Sequence, residues 1–370
     1  MSPDAEDPSG FTTLSDLEES AKAKVIDAAW AYVQGGSGEE RTLRANREAF
    51  QRVFLRPRAL VGVGTVDSST ALLGTRVPVP FYIAPTAFHG LLHPDAEAAT
   101  ARAAGARGVL GVYSTVSTLS MEEIAEAAPQ APRWFQLYLQ KAWATSERLI
   151  RRAEAAGYGA IVLTVDAPVL GQRDRQARLG FGLPPGMPVG NLEEVTPSAG
   201  ASVPQAVHQA LRTDSDATWE TLRKVREATR LPVVVKGLLT GEDAARAVEL
   251  GAQGVVVSNH GGRQLDGAPP ALWALPEVVR AVGSKAEVYM DSGVRRGSDV
   301  LAALALGARA VGLGRPVLWA LACGGEAGVG KLLDLLRTEL ETSMRIAGRR
   351  SLREVDASLL FAPPSSANVP

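Results

Sequence analysis

The 370-residue chain is 46% hydrophobic and 21% charged, the balance of a folded globular protein, which excludes global disorder. Its 39 lysines and arginines nearly cancel 40 aspartates and glutamates, so no charge excess gathers nucleic acid or an anionic membrane surface. One cysteine, Cys323, closes no intrachain disulfide, and four histidines beside it make no multi-Cys/His zinc cage; no metal is expected.

The first element is a helical pattern over 14–34, ended by Gly35-Gly36. From about residue 80, short β-branched runs alternate with Ala/Glu/Arg-rich helical stretches. The runs begin near Phe81, Val109, Trp134, Ala160, Pro232, Gly254, Glu287 and Arg309. Helices are expected over Asp95–Gly105, Met121–Ala128, Ser146–Ala156, Trp219–Arg230, Glu242–Leu250, Pro276–Val282, Ser298–Leu306 and Pro316–Ala322. Gly105, Gly157, Gly251 and Gly307 stand between a helix and a strand, where a left-handed cap is wanted. The runs are uniformly apolar rather than alternating, as in a parallel sheet covered on its outer face.

Eight such units point to an α/β chain folded as a (β/α)8 TIM barrel, with a doubly wound open sheet as the rival. The interval from Ala160 to Pro232 is far longer than the others. It holds a Gly/Pro/Ser-rich stretch, about 178–216, expected as a mobile loop or lid after the fourth strand. A terminal amphipathic helix is expected over Gly330–Ala347, with Leu332, Leu333, Leu336, Leu340 and Met344 on one face. One domain over 1–370 follows, with an N-terminal helical extension and a barrel core over about 80–325. The longest uncharged stretch, Val77–Pro94, is broken by prolines, so no membrane span is expected. The acidic start and lone cysteine lead us to expect a cytoplasmic protein.

In a barrel the C-terminal ends of the strands face the active site. Those ends carry Pro85-Thr86-Ala87, Ser114, Gln136 and Tyr138, Thr164 and Asp166, Lys236, Ser258-Asn259-His260, Asp291 and Gly293, and Gly314-Arg315. The sharpest segment is Ser258-Asn-His-Gly-Gly-Arg-Gln-Leu-Asp266, which brings an imidazole suited to base work and a carboxylate-gripping guanidinium into one turn. The loops with Arg295 and Arg315 follow strands seven and eight, where barrels commonly bind phosphate. Lys236 reads either as a Schiff-base lysine or as a cation facing a developing anion. No Rossmann fingerprint is present, because Gly62-Val-Gly64 does not match one.

At these residues the chain resembles the FMN-dependent α-hydroxy acid oxidase/dehydrogenase family, over about residues 14–350. SNHGGRQLD is the most specific segment, and PTA, FQLY, LTVDAP, VKG and GLGRP occur in the family's order. The resemblance implies the same barrel, FMN as cofactor and an (S)-2-hydroxy acid as substrate. It makes His260 the base, Asp166 its supporting carboxylate, Arg263 and Arg173 the substrate-carboxylate arginines, and Tyr32 and Tyr138 the pocket tyrosines. It surrounds the flavin ring with Pro85, Thr86, Ala87, Ser114, Gln136, Thr164, Lys236 and Ser258. Asp291, Gly293 and Arg295 then contact the ribityl chain and phosphate, and Gly314 with Arg315 completes the phosphate site.

Three positions set against the family's pattern matter, two of them departures. The loop after strand seven reads Asp-Ser-Gly where Asp-Gly-Gly is common. Val116 stands where glycolate oxidase has tryptophan, which with Val169 as a second uncharged wall implies room for a mandelate-like or other bulky substrate. Ala87 matches oxidase-like members, so dioxygen is the expected acceptor and hydrogen peroxide the product; a dehydrogenase using another electron acceptor is the alternative. A homo-oligomer, a tetramer, is expected.

Overall fold

The computed structural model describes residues 10–180, 183–184, 186–192 and 216–361. Eight parallel strands close into a barrel: Phe81–Ile83, Gly111–Ser114, Arg133–Leu137, Ile161–Thr164, Val233–Leu238, Gly254–Val257, Glu287–Met290 and Ala310–Leu313. Each pairs with the next, and the eighth pairs with the first through Val311 and Phe81. The closed barrel excludes the doubly wound sheet. Alternate strand residues explain the unbroken apolar runs. Val112, Trp134, Val162, Val234 and Val256 point into the barrel, while Phe135, Leu163, Val235 and Val257 join the core outside it, under the helices.

A hairpin of Thr70–Leu72 and Thr75–Val77 closes the N-terminal end of the barrel. Leu72 and Val77 extend the interior cluster of Tyr82, Trp134 and Tyr289. The hairpin is tied to strand beginnings, with Leu73 N donating to Glu287 Oε2 at 3.1 Å and Arg309 Nε to Ala71 O at 2.9 Å. Phe54–Leu55 pairs antiparallel with Leu360–Phe361, tying the segment after the N-terminal helices to the end of the described chain.

Several expected elements shift. The helix expected over 14–34 is two helices, Leu14–Lys24 and Asp27–Gln34, because the β-branched pair Val25-Ile26 is extended between them. The sixth outer helix spans Ala271–Val282 and holds Pro276 inside rather than starting on it. The helices expected from Pro316 and from Gly330 are two, meeting within Arg315–Ile346 at Gly324-Gly325, where the backbone is non-helical. Gly157, Gly251 and Gly307 have positive φ as expected, whereas Gly105 ends its helix and Gly108 takes the left-handed turn. Of the loop expected over 178–216, residues 181, 182, 185 and 193–215 lie outside the described residues. Its stretch 186–192 packs on the loop after strand two: Asn191 Oδ1 accepts from Met121 N at 2.8 Å and its Nδ2 donates to Ser117 Oγ at 2.9 Å.

Candidate active site

The inward register that fills the barrel with Val and Trp continues upward as polar side chains. Two residues beyond Val112, Trp134, Val162, Val234 and Val256 stand Ser114, Gln136, Thr164, Lys236 and Ser258. A further pair step gives Tyr138, Asp166 and His260, and strand seven supplies Asp291 two residues after Tyr289. This floor is tightly bonded. Gln136 Oε1 accepts from Ser114 Oγ at 3.1 Å and its Nε2 donates to Thr164 Oγ1 at 3.0 Å. Lys236 Nζ donates to Ser258 Oγ at 3.0 Å and lies 3.4 Å from Asp291 Oδ2 and 3.9 Å from Asp166 Oδ2. Strand five bulges after Lys236, where Gly237 has φ +109 and a Cβ would come 2.6 Å from that of Asp166. Glycine there lets the lysine strand and the Asp166 loop touch.

His260 is held in the left-handed region at φ +59. Its Nδ1 meets Asp166 Oδ1 at 2.8 Å, and its Nε2 lies 3.4 Å from Tyr138 Oη. A carboxylate on Nδ1 puts the proton there, so the Nε2 lone pair faces the tyrosine and the cavity. Burial lowers the His260 pKa below the ordinary 6.5; Asp166 opposes this, and Lys236 and Arg173 reinforce it. The imidazole is therefore neutral at pH 7 and able to accept a proton. Burial opposes charge on Asp166 and Lys236 also. Yet His260 and Lys236 hold the Asp166 pKa below normal, and Asp291 with Asp166 holds the Lys236 pKa above it. Burial pushes the Tyr138 phenol up, so it stays protonated.

Above this floor a cavity of about 1060 Å³, counted out to its open mouth, is lined by Arg173, Lys236, Arg263, Arg295 and Arg315 with Asp291 as the one acidic wall. Arg263 Nη1 donates to Tyr32 O at 2.8 Å and Gly35 O at 2.7 Å, with its guanidinium 5.2 Å from the Tyr32 ring centroid. Arg315 bridges Val33 O, Gly35 O and Gly261 O, and Arg295 stacks on Trp319 at 4.7 Å. Arg173 Nε is buried with no hydrogen-bond partner among the described residues. Burial lowers all four guanidinium pKa values, Arg263 to about 9 and Arg295 to about 10; neighbouring guanidinia push down those of Arg263, Arg295 and Arg315 as well. Crowded buried cations of this kind are a site built for anions. Among the described residues no cluster of histidine, cysteine, aspartate and glutamate is suited to a metal ion.

The sequence pattern of FMN-dependent dehydrogenases matches residues 21–362. The chain belongs to that family. It is 47% identical over 357 residues to an L-lactate oxidase of Nostoc sp., covering 94% of this chain and 97% of that one. It is 44% identical over 352 residues to glycolate oxidase 3 of Arabidopsis thaliana, covering 93% and 94%. A mandelate oxidase structure with (S)-4-hydroxymandelic acid superposes with TM-score 0.88 at 45% identity, covering 95% of this chain and 98% of that one. The protein is thus an FMN-dependent enzyme of the 2-hydroxy acid oxidase type.

The anion-demanding cavity fits FMN, whose phosphate needs such cations near glycine-rich turns. Of the residues singled out in this family member's sequence, Tyr32, Pro85, Thr86, Ala87, Ser114, Val116, Tyr138, Arg173, Lys236, His260 and Arg263 border the cavity. So do Asp291, Gly293, Arg295, Gly314 and Arg315. Gln136, Thr164, Ser258 and Asp166 do not border it; Gln136, Ser258 and Asp166 sit beneath, bonded to residues that do, and Thr164 bonds to Gln136. Val169 is 62% exposed and forms no wall, and Ala167 and Leu170 take that place. Ser292, the serine of the Asp-Ser-Gly departure, also borders the cavity, and so does Gln264. Gln264 Nε2 donates to Asp166 O at 2.9 Å and Val169 O at 2.8 Å, fixing the loop that leads to Arg173. The SNHGGRQLD segment contains Gln264, but only folding shows what it reaches.

Proposed function

We propose that this enzyme oxidises bulky, mandelate-like (S)-2-hydroxy acids to 2-oxo acids with dioxygen as the electron acceptor. The observation that carries the reading is the His260–Asp166 pair opening onto the same cavity as Arg173 and Arg263. The substrate carboxylate lies between the two guanidinia, whose forks suit it and whose positive charge is otherwise crowded. Tyr32 and Tyr138 flank it. Holding the acid there sets its α-carbon near His260, and positioning of this kind supplies much of an enzymatic acceleration.

His260 Nε2 takes one proton, from the α-carbon or from the hydroxyl, and Asp166 stabilises the imidazolium that forms. FMN, when bound, supplies the two-electron acceptor and hands the pair to dioxygen, so that hydroxy acid plus dioxygen gives oxo acid plus hydrogen peroxide. Pro85, Thr86, Ala87 and Ser114 would wall its ring, with Gln136, Thr164 and Ser258 supporting that floor. Lys236 would offer it positive charge, and Asp291, Gly293, Arg295, Gly314 and Arg315 would receive the ribityl phosphate. The oxidase names of the relatives and Ala87 in the cavity wall support dioxygen as acceptor.

The substrate's side chain faces Val116, Ala87, Ala167 and Leu170, uncharged groups with no tryptophan among them. Burying an aryl ring against them contributes roughly 2 kcal/mol, about thirtyfold in specificity. The neighbouring mandelate oxidase structures support this size class. The test is kcat/KM for mandelate, 2-hydroxyoctanoate, lactate and glycolate, with peroxide yield measured in the same assays. Mandelate is expected to lead, and Val116→Trp to abolish mandelate oxidation while sparing glycolate. Glycolate as the best substrate of the wild type refutes the size argument. Turnover with a dye but little peroxide refutes the acceptor.

A further inference from the structure

Ser292 lies in the loop after the seventh strand with φ +78, in the left-handed region that disfavours any residue bearing a Cβ. It is 8% exposed and borders the cavity. Its hydroxyl donates to Asp291 Oδ1 at 2.8 Å and accepts from Gly261 N at 3.0 Å. Ser258 repeats the arrangement from strand six, with its hydroxyl donating to the same Asp291 Oδ1 at 2.6 Å and accepting from His260 N at 3.0 Å. One carboxylate oxygen thus anchors two hydroxyls, and each hydroxyl holds one of two successive amides of the histidine turn.

We infer that Ser292 is a positioning residue for His260, acting through the Gly261 amide; the inference rests on His260 being the base. His260 and Gly261 both have positive φ, at +59 and +66, so the turn needs outside restraint to keep one geometry. The ring has its own contacts to Asp166 and Tyr138, but the peptide that aims the ring is held through the serine pair. Glycine at 292 would carry the same φ without strain and would leave Gly261 N without its acceptor. The hydroxyl, rather than the backbone conformation, is what the serine contributes. Neither Arg173 nor Arg263 is touched by it in any hydrogen bond described, so the effect falls on the proton-transfer geometry and not on carboxylate binding.

The test compares Ser292→Gly and Ser292→Ala in the FMN-loaded enzyme. Glycine removes both strain and hydroxyl, whereas alanine removes the hydroxyl and keeps the strain. Both variants are expected to slow the limiting rate of anaerobic flavin reduction about tenfold, with the apparent substrate dissociation constant within about twofold of wild type. Both are also expected to speed amide hydrogen exchange about tenfold in the peptide containing Gly261, a readout that needs no turnover. Melting temperature should separate them, with Ser292→Gly the higher. Wild-type reduction rates in both variants, or a slow alanine variant beside a normal glycine variant, overturn the positioning role. Unchanged Gly261 exchange overturns the tether itself. Wild-type enzyme that no 2-hydroxy acid reduces, with Gly261 exchange still accelerated in both variants, refutes the functional reading while leaving the tether standing.

Discussion

Asp166→Asn isolates the charge behind the proposed base. The carboxylate accepts at 2.8 Å from His260 Nδ1, and two unit charges about 4 Å apart interact by about 4 kcal/mol at an effective dielectric near 20. The amide oxygen of asparagine still accepts the Nδ1 proton, returning about 1 kcal/mol. The imidazolium therefore loses about 3 kcal/mol of support, a slowing of roughly 150-fold in the step that creates it. Anaerobic stopped-flow measurement of flavin bleaching reads this directly, with FMN content checked by the visible spectrum. The pH dependence has a definite sign. His260 must be neutral to act, so the rate falls as the pH drops through its pKa, which burial already places below 6.5. Removing Asp166 takes away the group that raises that pKa, so the acid limb moves to lower pH while the plateau drops. A loss under tenfold, or an acid limb displaced to higher pH, refutes the reasoning.

Three other outcomes follow from the same geometry. The purified protein is expected to be yellow and to release FMN rather than FAD on denaturation, identified by chromatography of the supernatant. His260→Ala should keep FMN yet lose about a hundredfold or more in flavin reduction, which single-turnover kinetics measures. Arg263→Lys should raise the substrate dissociation constant tenfold or more with little change in FMN content, as titration of the flavin spectrum will show. Arg263 Nη1 reaches Tyr32 O and Gly35 O while its fork faces the cavity, and the single ammonium of lysine cannot reproduce that planar fork.

The barrel was legible because its strands are buried on both faces, which leaves unbroken apolar runs that end in polar residues. Val234-Val235-Lys236 and Val255-Val256-Val257-Ser258 show the change within one register. Much of the site was legible for the same reason, since strand ends converge once the barrel closes. What escaped depends on contacts between distant segments or on backbone angles. The hairpin over Thr70–Val77 has too few residues to show a period, and its role comes from Glu287 and Arg309. The helix Arg41–Gln51 is strongly polar, so its buried Thr42 and Asn46 gave no apolar stripe; Thr42 bonds instead to the loop after His260, and Asn46 to Asn259 just before it. The break at Val25-Ile26 lies inside a continuous helical composition, and φ at Ser292 cannot be read from a serine.

The hairpin plug gives the molecule a one-way plan. With Leu72 and Val77 seated below Tyr82, Trp134 and Tyr289, the barrel axis is solid up to the level of Lys236, and the cavity opens only at the opposite end among the described residues. In the proposed reaction, hydroxy acid, oxo acid, dioxygen and peroxide would share one doorway beside the arginines. Departure of one reactant becomes a condition for arrival of another, so a tightly held oxo acid acts as a stopper as well as a product. In that reaction, traffic through the doorway joins the proposed chemistry at His260 as a step that can limit turnover.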